Sequence, residues 1–354
     1  MSQARKKRFL RPGTALGIGL AMAIVAGVGV GCRSLSKPRL EAKLLELGKN
    51  APVTELQRRE IQLDLDGESR TYELVYLHVP MQREGTTPGT EPVDATPAVL
   101  VHGTPSTLFT WTELVFGREG DDGFEGLRAT RDVYAIEVIG HGVAPGTAAP
   151  YTFERCARFV TAAIRGLGLE RVHLVGSSYG GEFVWRAALD EPELIESLVL
   201  IDSSGYTRRE EDWLPEEVVM RENSLAKIGW MLNSRERITT ALAPHFDVIP
   251  PDRVDEFFLV CENAHNWKAM IDLARDENGT REAEIPDIQA PTLVLWGAED
   301  IAYHLDVYGE RFARDIPRAE LLALPGTGHY PHEERPREVI GALNRFFDST
   351  GPRR

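Results

Sequence analysis

The sequence predicts an α/β fold in which a parallel sheet is covered by helices on both faces. Short apolar runs at 98–101, 133–139, 172–175, 198–201, 292–296 and 321–324 are separated for the most part by amphipathic helical segments, the spacing of a repeating strand–helix–strand unit. The runs are continuously apolar rather than alternating, as strands buried on both faces require. Ligands of such a sheet bind beyond the carboxyl ends of its strands, so the residues that follow each run are where chemistry is sought.

The chain has 354 residues, 42% hydrophobic and 27% charged, enough for one large α/β domain and an insertion. Its 54 acidic residues outnumber 40 basic ones and give a net charge of -14, which argues against a nucleic-acid partner. Besides Cys32 only Cys156 and Cys261 are present, too few for a disulfide framework. Cys156 shares a helical stripe with Phe153, Val160, Ala163 and Leu167, which predicts a buried thiol.

The N-terminus differs in kind. Arg5, Lys6, Lys7, Arg8 and Arg11 precede an uncharged apolar stretch at 14–31. This pattern is an export signal or a membrane anchor. Gly31 before Cys32 resembles the lipobox of bacterial lipoproteins, with Gly29 where that pattern usually has leucine, and the resemblance implies lipid attachment at Cys32. An uncleaved helix is the alternative, since the run is just long enough to span a bilayer core of ~30 Å. Either way the basic cluster stays inside and the body is placed outside the cytoplasm, held at the membrane by its N-terminus. The glycines at 27, 29 and 31 lack the strand–turn–helix context of a dinucleotide loop.

Residues 32–54 are expected to be a tether. Alternation at 61–65 and 71–79 around Asp66-Gly67 predicts an antiparallel hairpin at a sheet edge. A Gly-, Thr- and Pro-rich loop at 85–97 leads to the first buried strand. The strand–helix alternation breaks at 206–285, where amphipathic segments such as Val254, Phe257, Phe258 and Cys261 are interrupted by Pro215, Pro244, Pro250 and Pro251. This predicts a helical cap between two parts of one core, 55–205 and 286–354. Asn278-Gly279-Thr280 reads as a turn.

The pentapeptide Gly176-Ser177-Ser178-Tyr179-Gly180 follows the run 172–175 and precedes a helical segment at 182–189. It fits a G-x-S-x-G nucleophile elbow, in which a strained turn projects Ser178 above the strand and glycines make room for it. By itself the pattern fits a plain connecting turn equally well. A serine nucleophile also needs a base and an acid that orients the base. Asp300 follows the run 292–296 in Gly297-Ala298-Glu299-Asp300, and His329 follows 321–324 in Pro325-Gly326-Thr327-Gly328-His329.

Together with His102-Gly103-Thr104-Pro105, Gly140-His141-Gly142 and the segment from Gly328 to Pro336, these motifs resemble the α/β-hydrolase family, in particular lidded members with an H-G-x-P loop, over about residues 60–350. The resemblance implies a mostly parallel eight-stranded sheet with a helical cap. It implies the order Ser178, Asp300, His329 for nucleophile, acid and base, and an oxyanion hole from the backbone N–H groups of Thr104 and Tyr179. It gives His102 and His141 turn-stabilising roles, and prefers His329 to His332 as base and Asp300 to Glu299 or Asp202 as acid. Glu137 stands where many relatives have aspartate. His245 and His265, in the cap, lack metal-site partners and are read as structural. No cofactor or metal is implied.

A serine at the elbow suits acyl transfer, whereas epoxide opening or halide displacement calls for a carboxylate there. The expected activity is a serine hydrolase of carboxylic esters with a small-molecule substrate bearing an apolar acyl part. Hydrolysis of a carbon–carbon bond beside a ketone is the second reading, and a non-catalytic binding protein of the same fold the third. Trp213, Trp230, Met231, Phe246, Phe257, Phe258 and Trp267 could line an acyl pocket or form the core of the cap.

Overall fold

A computed structural model describes residues 34–50, 52–65, 68–82, 96–118, 124–223 and 233–350. The N-terminal segment 1–31, Cys32, the Asp66-Gly67 turn, most of the loop 85–97, Trp230 and Met231 lie outside the described residues. Among the described residues no helix is long and apolar enough to cross a membrane.

The eight strands are β1 (Gln57–Leu65), β2 (Glu68–Val79), β3 (Ala98–Val101), β4 (Val133–Ile136), β5 (Val172–Ser177), β6 (Ile195–Ile201), β7 (Thr292–Gly297) and β8 (Ala319–Leu324). They form one sheet in the order β1-β2-β4-β3-β5-β6-β7-β8. β1 pairs antiparallel with β2, and β2 with β4; every other pair is parallel. The chain leaves β3 toward β4 on one side and returns to β5 on the other, so the order reverses at β3. A crevice opens at such a reversal beyond the strand ends. The register brings the carboxyl ends level: Val101 lies opposite Gly176, Ser177 opposite Ile201, and Gly297 opposite Leu324.

The core divides by the two-residue period of the strands. Val99, Val101, Leu174, Leu198, Leu200, Val294 and Trp296 face one apolar layer, while Ala98, Leu100, Val175, Val199, Ile201, Leu293 and Leu295 face the other. Helices α1 (Lys37–Leu45), α2 (Thr112–Phe116), α3 (Phe153–Leu167) and α4 (Tyr179–Asp190) belong to the first part of the chain. The cap carries α5 (Pro215–Glu222), α6 (Arg235–Leu242), α7 (Arg253–Cys261) and α8 (Ala264–Asp276), and the last part carries α9 (Glu310–Asp315), α10 (Pro331–Glu334) and α11 (Pro336–Thr350). α3 begins where Thr152 Oγ1 accepts the Arg155 N–H and ends at Gly168, whose φ of +77° suits glycine. Cys156 lies buried on its inner face, as its stripe predicts.

Three elements depart from the sequence expectation. The strand expected at 133–139 ends at Ile136: the Glu137 N–H still donates to Val75 O of β2 (2.9 Å), and the chain then leaves the sheet to turn at His141, whose N–H donates to Val138 O (2.9 Å). The helix expected from 182 starts at Tyr179, immediately after Ser178, so Gly180 and Gly181 are helical. The stretch expected as a tether folds onto the body from Leu35 onward. The Leu35 N–H donates to Glu262 O (3.1 Å), and Leu35 O accepts from Asn263 Nδ2 (2.7 Å). Leu40 and Leu44 are fully buried in the same layer as Leu108, Phe109 and Trp111. Spaced four apart, they form one apolar stripe on a short helix, which composition alone reads as polar. Leu44→Ala is therefore expected to lower unfolding stability by ~2–5 kcal/mol in chemical denaturation; a tether would leave it unchanged.

Candidate active site

Ser178 sits at the turn between β5 and α4 with φ 55° and ψ -126°, a conformation that L-residues adopt only when surrounding contacts hold it. Its N–H donates to Ile201 O (2.9 Å), and its carbonyl accepts from Gly181 N (2.9 Å) and Ser204 N (3.2 Å). The flanking glycines are sterically required. A Cβ on Gly176 would lie 2.4 Å from Gly180 O, and one on Gly180 2.4 Å from Val101 O. Gly103 packs as closely: its Cβ would come 2.8 Å from Ser178 Cβ, which places the 102–105 loop directly against the serine.

His141 fixes that loop. Its Nδ1–H donates to Ile139 O (3.1 Å), and its Nε2 accepts from Thr104 Oγ1 (2.5 Å). Burial holds this imidazole at about 3, so it stays neutral and can accept. His102 is fully buried, with Nδ1 2.7 Å from Gly103 O and Nε2 accepting the Val138 N–H (3.1 Å). Both loop histidines thus brace turns, as the family resemblance implies. Tyr179 supplies the first backbone N–H of α4, one of the donors that a helix start leaves without an intrahelical acceptor.

His329 lies five residues past β8, with its Nδ1 2.8 Å from Asp300 Oδ2 and both side chains buried. Asp300 Oδ1 accepts from Ala302 N (2.7 Å). Burial alone would raise the Asp300 carboxyl, but the charge and hydrogen bond of His329 bring it below the ordinary carboxylate range. Of the two rival acids, Glu299 turns to the exposed side and accepts from Gly326 N and Thr327 N (2.9 and 3.2 Å). Asp202 is drawn in: one oxygen each of Asp202 and Asp300 and a ring nitrogen of His329 lie within 4.8 Å of one another. His332 points elsewhere, its Nε2 3.0 Å from Thr110 Oγ1.

Two site residues, Glu277 and Arg253, escaped the sequence reading because their partners are distant in the chain, and a third, His245, is read there only as structural. Glu277, just past α8, accepts from Tyr179 OH (2.7 Å) and Tyr303 OH (2.8 Å), and the Tyr303 ring lies 5.7 Å from the His329 ring, tilted by 36°. It therefore ties the residue after Ser178 to the side of His329. Arg253 of α7 is fully buried, 2.9 Å from Glu333 and 3.3 Å from Ser106 Oγ, bridging the two loops that carry His329 and Thr104. His245 gives its carbonyl to the His329 N–H (2.9 Å) and lays its ring 5.7 Å away. Burial and the neighbouring His329 lower its imidazole to about 4. In the cap, Phe246 and Phe257 pack with Tyr330, Phe246 stacking at 4.6 Å, whereas the Trp213 ring is contacted by the guanidinium groups of Arg208 (4.2 Å) and Arg221 (3.8 Å).

Because His141 and His245 resist protonation in the folded chain but not in the unfolded one, stability is complete above the ordinary histidine value and falls as pH drops below it. Thermal melting from neutral pH down to about 3 is expected to show that loss, and His141→Asn to reduce it.

Comparison with known proteins identifies the family. Residues 98–342 match the alpha/beta hydrolase family. The uncharacterized hydrolase YugF of Bacillus subtilis is 28% identical over 257 residues, covering 70% of this chain and 89% of its own length. A 2-hydroxy-6-oxononadienedioate/2-hydroxy-6-oxononatrienedioate hydrolase of Paraburkholderia phymatum is 27% identical over 195 residues, 52% of this chain and 66% of that protein. Among solved structures, an esterase from Thermogutta terrifontis superposes with a TM-score of 0.66 at 21% identity, over 84% of this chain and 100% of its own. A membrane phospholipase A described as a bacterial virulence factor superposes with a TM-score of 0.65 at 25% identity, over 95% of this chain and 97% of its own. With the match over 98–342 and the sheet, turn and cap that accompany it, this chain belongs to the alpha/beta hydrolase family and is a hydrolase.

Proposed function

We propose that the protein is an exported, membrane-anchored serine hydrolase that cleaves carboxylic esters through an acyl-enzyme. The observation that carries the proposal is the buried 2.8 Å contact of His329 Nδ1 with Asp300, combined with a serine held in a strained turn at the head of α4. With Nδ1–H committed to Asp300, the lone pair of His329 is on Nε2, the position from which an imidazole takes a serine proton. Ser178 Oγ attacks the ester carbonyl, and the N–H groups of Thr104 and Tyr179 receive the negative oxygen. His329 then protonates the leaving alcohol and activates the water that releases the acid.

The apolar cluster of Phe246, Phe257 and Tyr330 beside His329 supports an apolar acyl part. The similarity to a membrane phospholipase A, which extends over 95% of the chain, supports a lipid ester and a membrane location, as does the basic-then-apolar N-terminus with Cys32. Carbon–carbon bond hydrolysis is the second reading, supported by the relative from Paraburkholderia phymatum.

The full chain, solubilised in detergent, is expected to react with a fluorophosphonate at Ser178, and Ser178→Ala and His329→Ala to abolish or nearly abolish labelling. A folded wild type that stays unlabelled by both large and small probes would replace the enzyme with a binding protein. On a p-nitrophenyl ester, Gly103→Ala is expected to cut kcat by ~10²-fold with a smaller change in KM, because the added carbon displaces the loop from the serine.

A further inference from the structure

Asp202 follows β6 at the carboxyl edge of the sheet, between the strand of Ser178 and the strand of Asp300. Its backbone has φ +44°, in the left-handed region, and its N–H donates to Leu295 O (3.2 Å). The side chain is fully buried. Oδ1 accepts the Gly297 N–H (2.9 Å), while Oδ2 has no hydrogen-bond partner among the described residues. A buried carboxylate oxygen without a donor is costly, and burying its charge unpaired costs more.

The neighbouring acid removes the difficulty. Asp300 receives two donors, the Ala302 N–H and the His329 Nδ1–H, and so has the surroundings of an ionised carboxylate. Two buried carboxyls within 4.8 Å do not both ionise; one retains a proton. The charged or titratable groups facing the pair are His329, His245 and Glu334, and both imidazoles act on Asp300. Asp202 has one backbone donor, the Asp300 charge and the more distant Glu334.

We infer that Asp202 is a neutral carboxylic acid whose Oδ2–H is donated to the Asp300 carboxylate, making it a positioning residue for the His329 partner. In agreement, burial and the Asp300 charge push the Asp202 carboxyl well above its ordinary range. The hydrogen bond adds a third donor to the Asp300 carboxylate, beside the Ala302 N–H and the His329 Nδ1–H, and withdraws charge from it. It also leaves a second acid in reserve: with Asp300 neutralised, its charge no longer holds the proton on Asp202; burial and Glu334 still oppose ionisation, but the imidazolium forming at His329 offsets them, so Asp202 releases its proton to solvent and becomes the carboxylate nearest His329. The inference rests on the proposed roles of Asp300 and His329, although its first test does not need them.

That test is infrared difference spectroscopy of the full chain at neutral pH, wild type against Asp202→Asn. A carboxylic-acid C=O band present in the wild type and missing in the variant is expected; the absence of such a band overturns the inference whether or not the protein is active. The second test compares hydrolysis of a p-nitrophenyl ester by the wild type and four variants, all shown by circular dichroism to be folded. Asp202→Asn, whose amide can donate to Asp300 and accept from Gly297, is expected to retain at least roughly tenfold more activity than Asp202→Leu. Asp300→Asn is expected to retain at least roughly tenfold more than Asp202→Asn/Asp300→Asn, with a pH profile shifted from that of the wild type. Equal activities within both pairs overturn the inference, and wild type that is inactive and unlabelled by fluorophosphonate counts against the proposed function instead, leaving the infrared band to decide the proton.

Discussion

The structure depends on one close approach of the backbone to itself. At Ser178 the chain reverses from β5 into α4 in a conformation that costs ~1–3 kcal/mol for an L-residue. Three backbone hydrogen bonds, to residues 181, 201 and 204, hold it there. The turn fits only because Gly176, Gly180 and Gly103 present no Cβ to one another's backbone. The same compression brings the end of β3 against the serine, so the loop that offers Thr104 and the helix that offers Tyr179 meet at the reversal of strand order. The location of the site thus follows from sheet topology, and its fineness from three missing methyl groups.

Around that turn, buried charge is arranged in small closed groups. Glu277 is satisfied by two tyrosine hydroxyls with Arg208 nearby (3.8 Å), Asp300 by an imidazole and a backbone N–H, and the charge of Arg253 is paired with Glu256 and Glu333 (3.1 and 2.9 Å). Each group joins cap to core or one active-site loop to another. Truncating one member strands a charge in a dry interior, which costs more than the pair itself contributes to stability. The cap is therefore part of the site's scaffold: the His245 carbonyl holds the His329 N–H, and a Cβ on Gly328 would lie 2.3 Å from that carbonyl.

Much of this was legible in the sequence. Five buried strands, the edge hairpin and the half-exposed edge strand β8 announce themselves by apolar runs and alternation, although the run 321–324 reads in the sequence as buried on both faces, and the elbow, Asp300 and His329 each stand just past a strand end. The legible part is local. Glu277, Arg253 and His245 reach Tyr179, Ser106 and His329, which lie 98, 147 and 84 residues away, and no spacing rule links them. The preference for Asp300 over Glu299 and Asp202 rests, in the sequence, on the family resemblance and not on the residues' own spacing, for the same reason. Adjacent carboxylates differ only in the direction of the chain at that point, and here Glu299 faces the 326–327 turn while Asp300 faces the imidazole. The helix Lys37–Leu45 was hidden by its polar composition, since two leucines four apart suffice when the rest of the surface is solvated.

That helix shows how far the site extends beyond the stretch matched to the family, which begins at residue 98. Lys37 Nζ donates to Gly142 O (2.6 Å) and Asn266 Oδ1 (2.5 Å), and Asn266 Nδ2 donates to the same Gly142 carbonyl (3.1 Å). Gly142 follows His141, whose Nε2 receives the Thr104 hydroxyl. A short relay of hydrogen bonds and one peptide bond therefore runs from the N-terminal helix to the loop against Ser178. Leu40 and Leu44 meanwhile fill the apolar layer that supports Phe109 and Trp111 at the far end of that loop. A polar clamp and an apolar floor from one nine-residue helix act on the two ends of the same loop. Removing the helix would release both at once, so the 98–342 region alone does not contain everything that fixes Thr104 beside the serine.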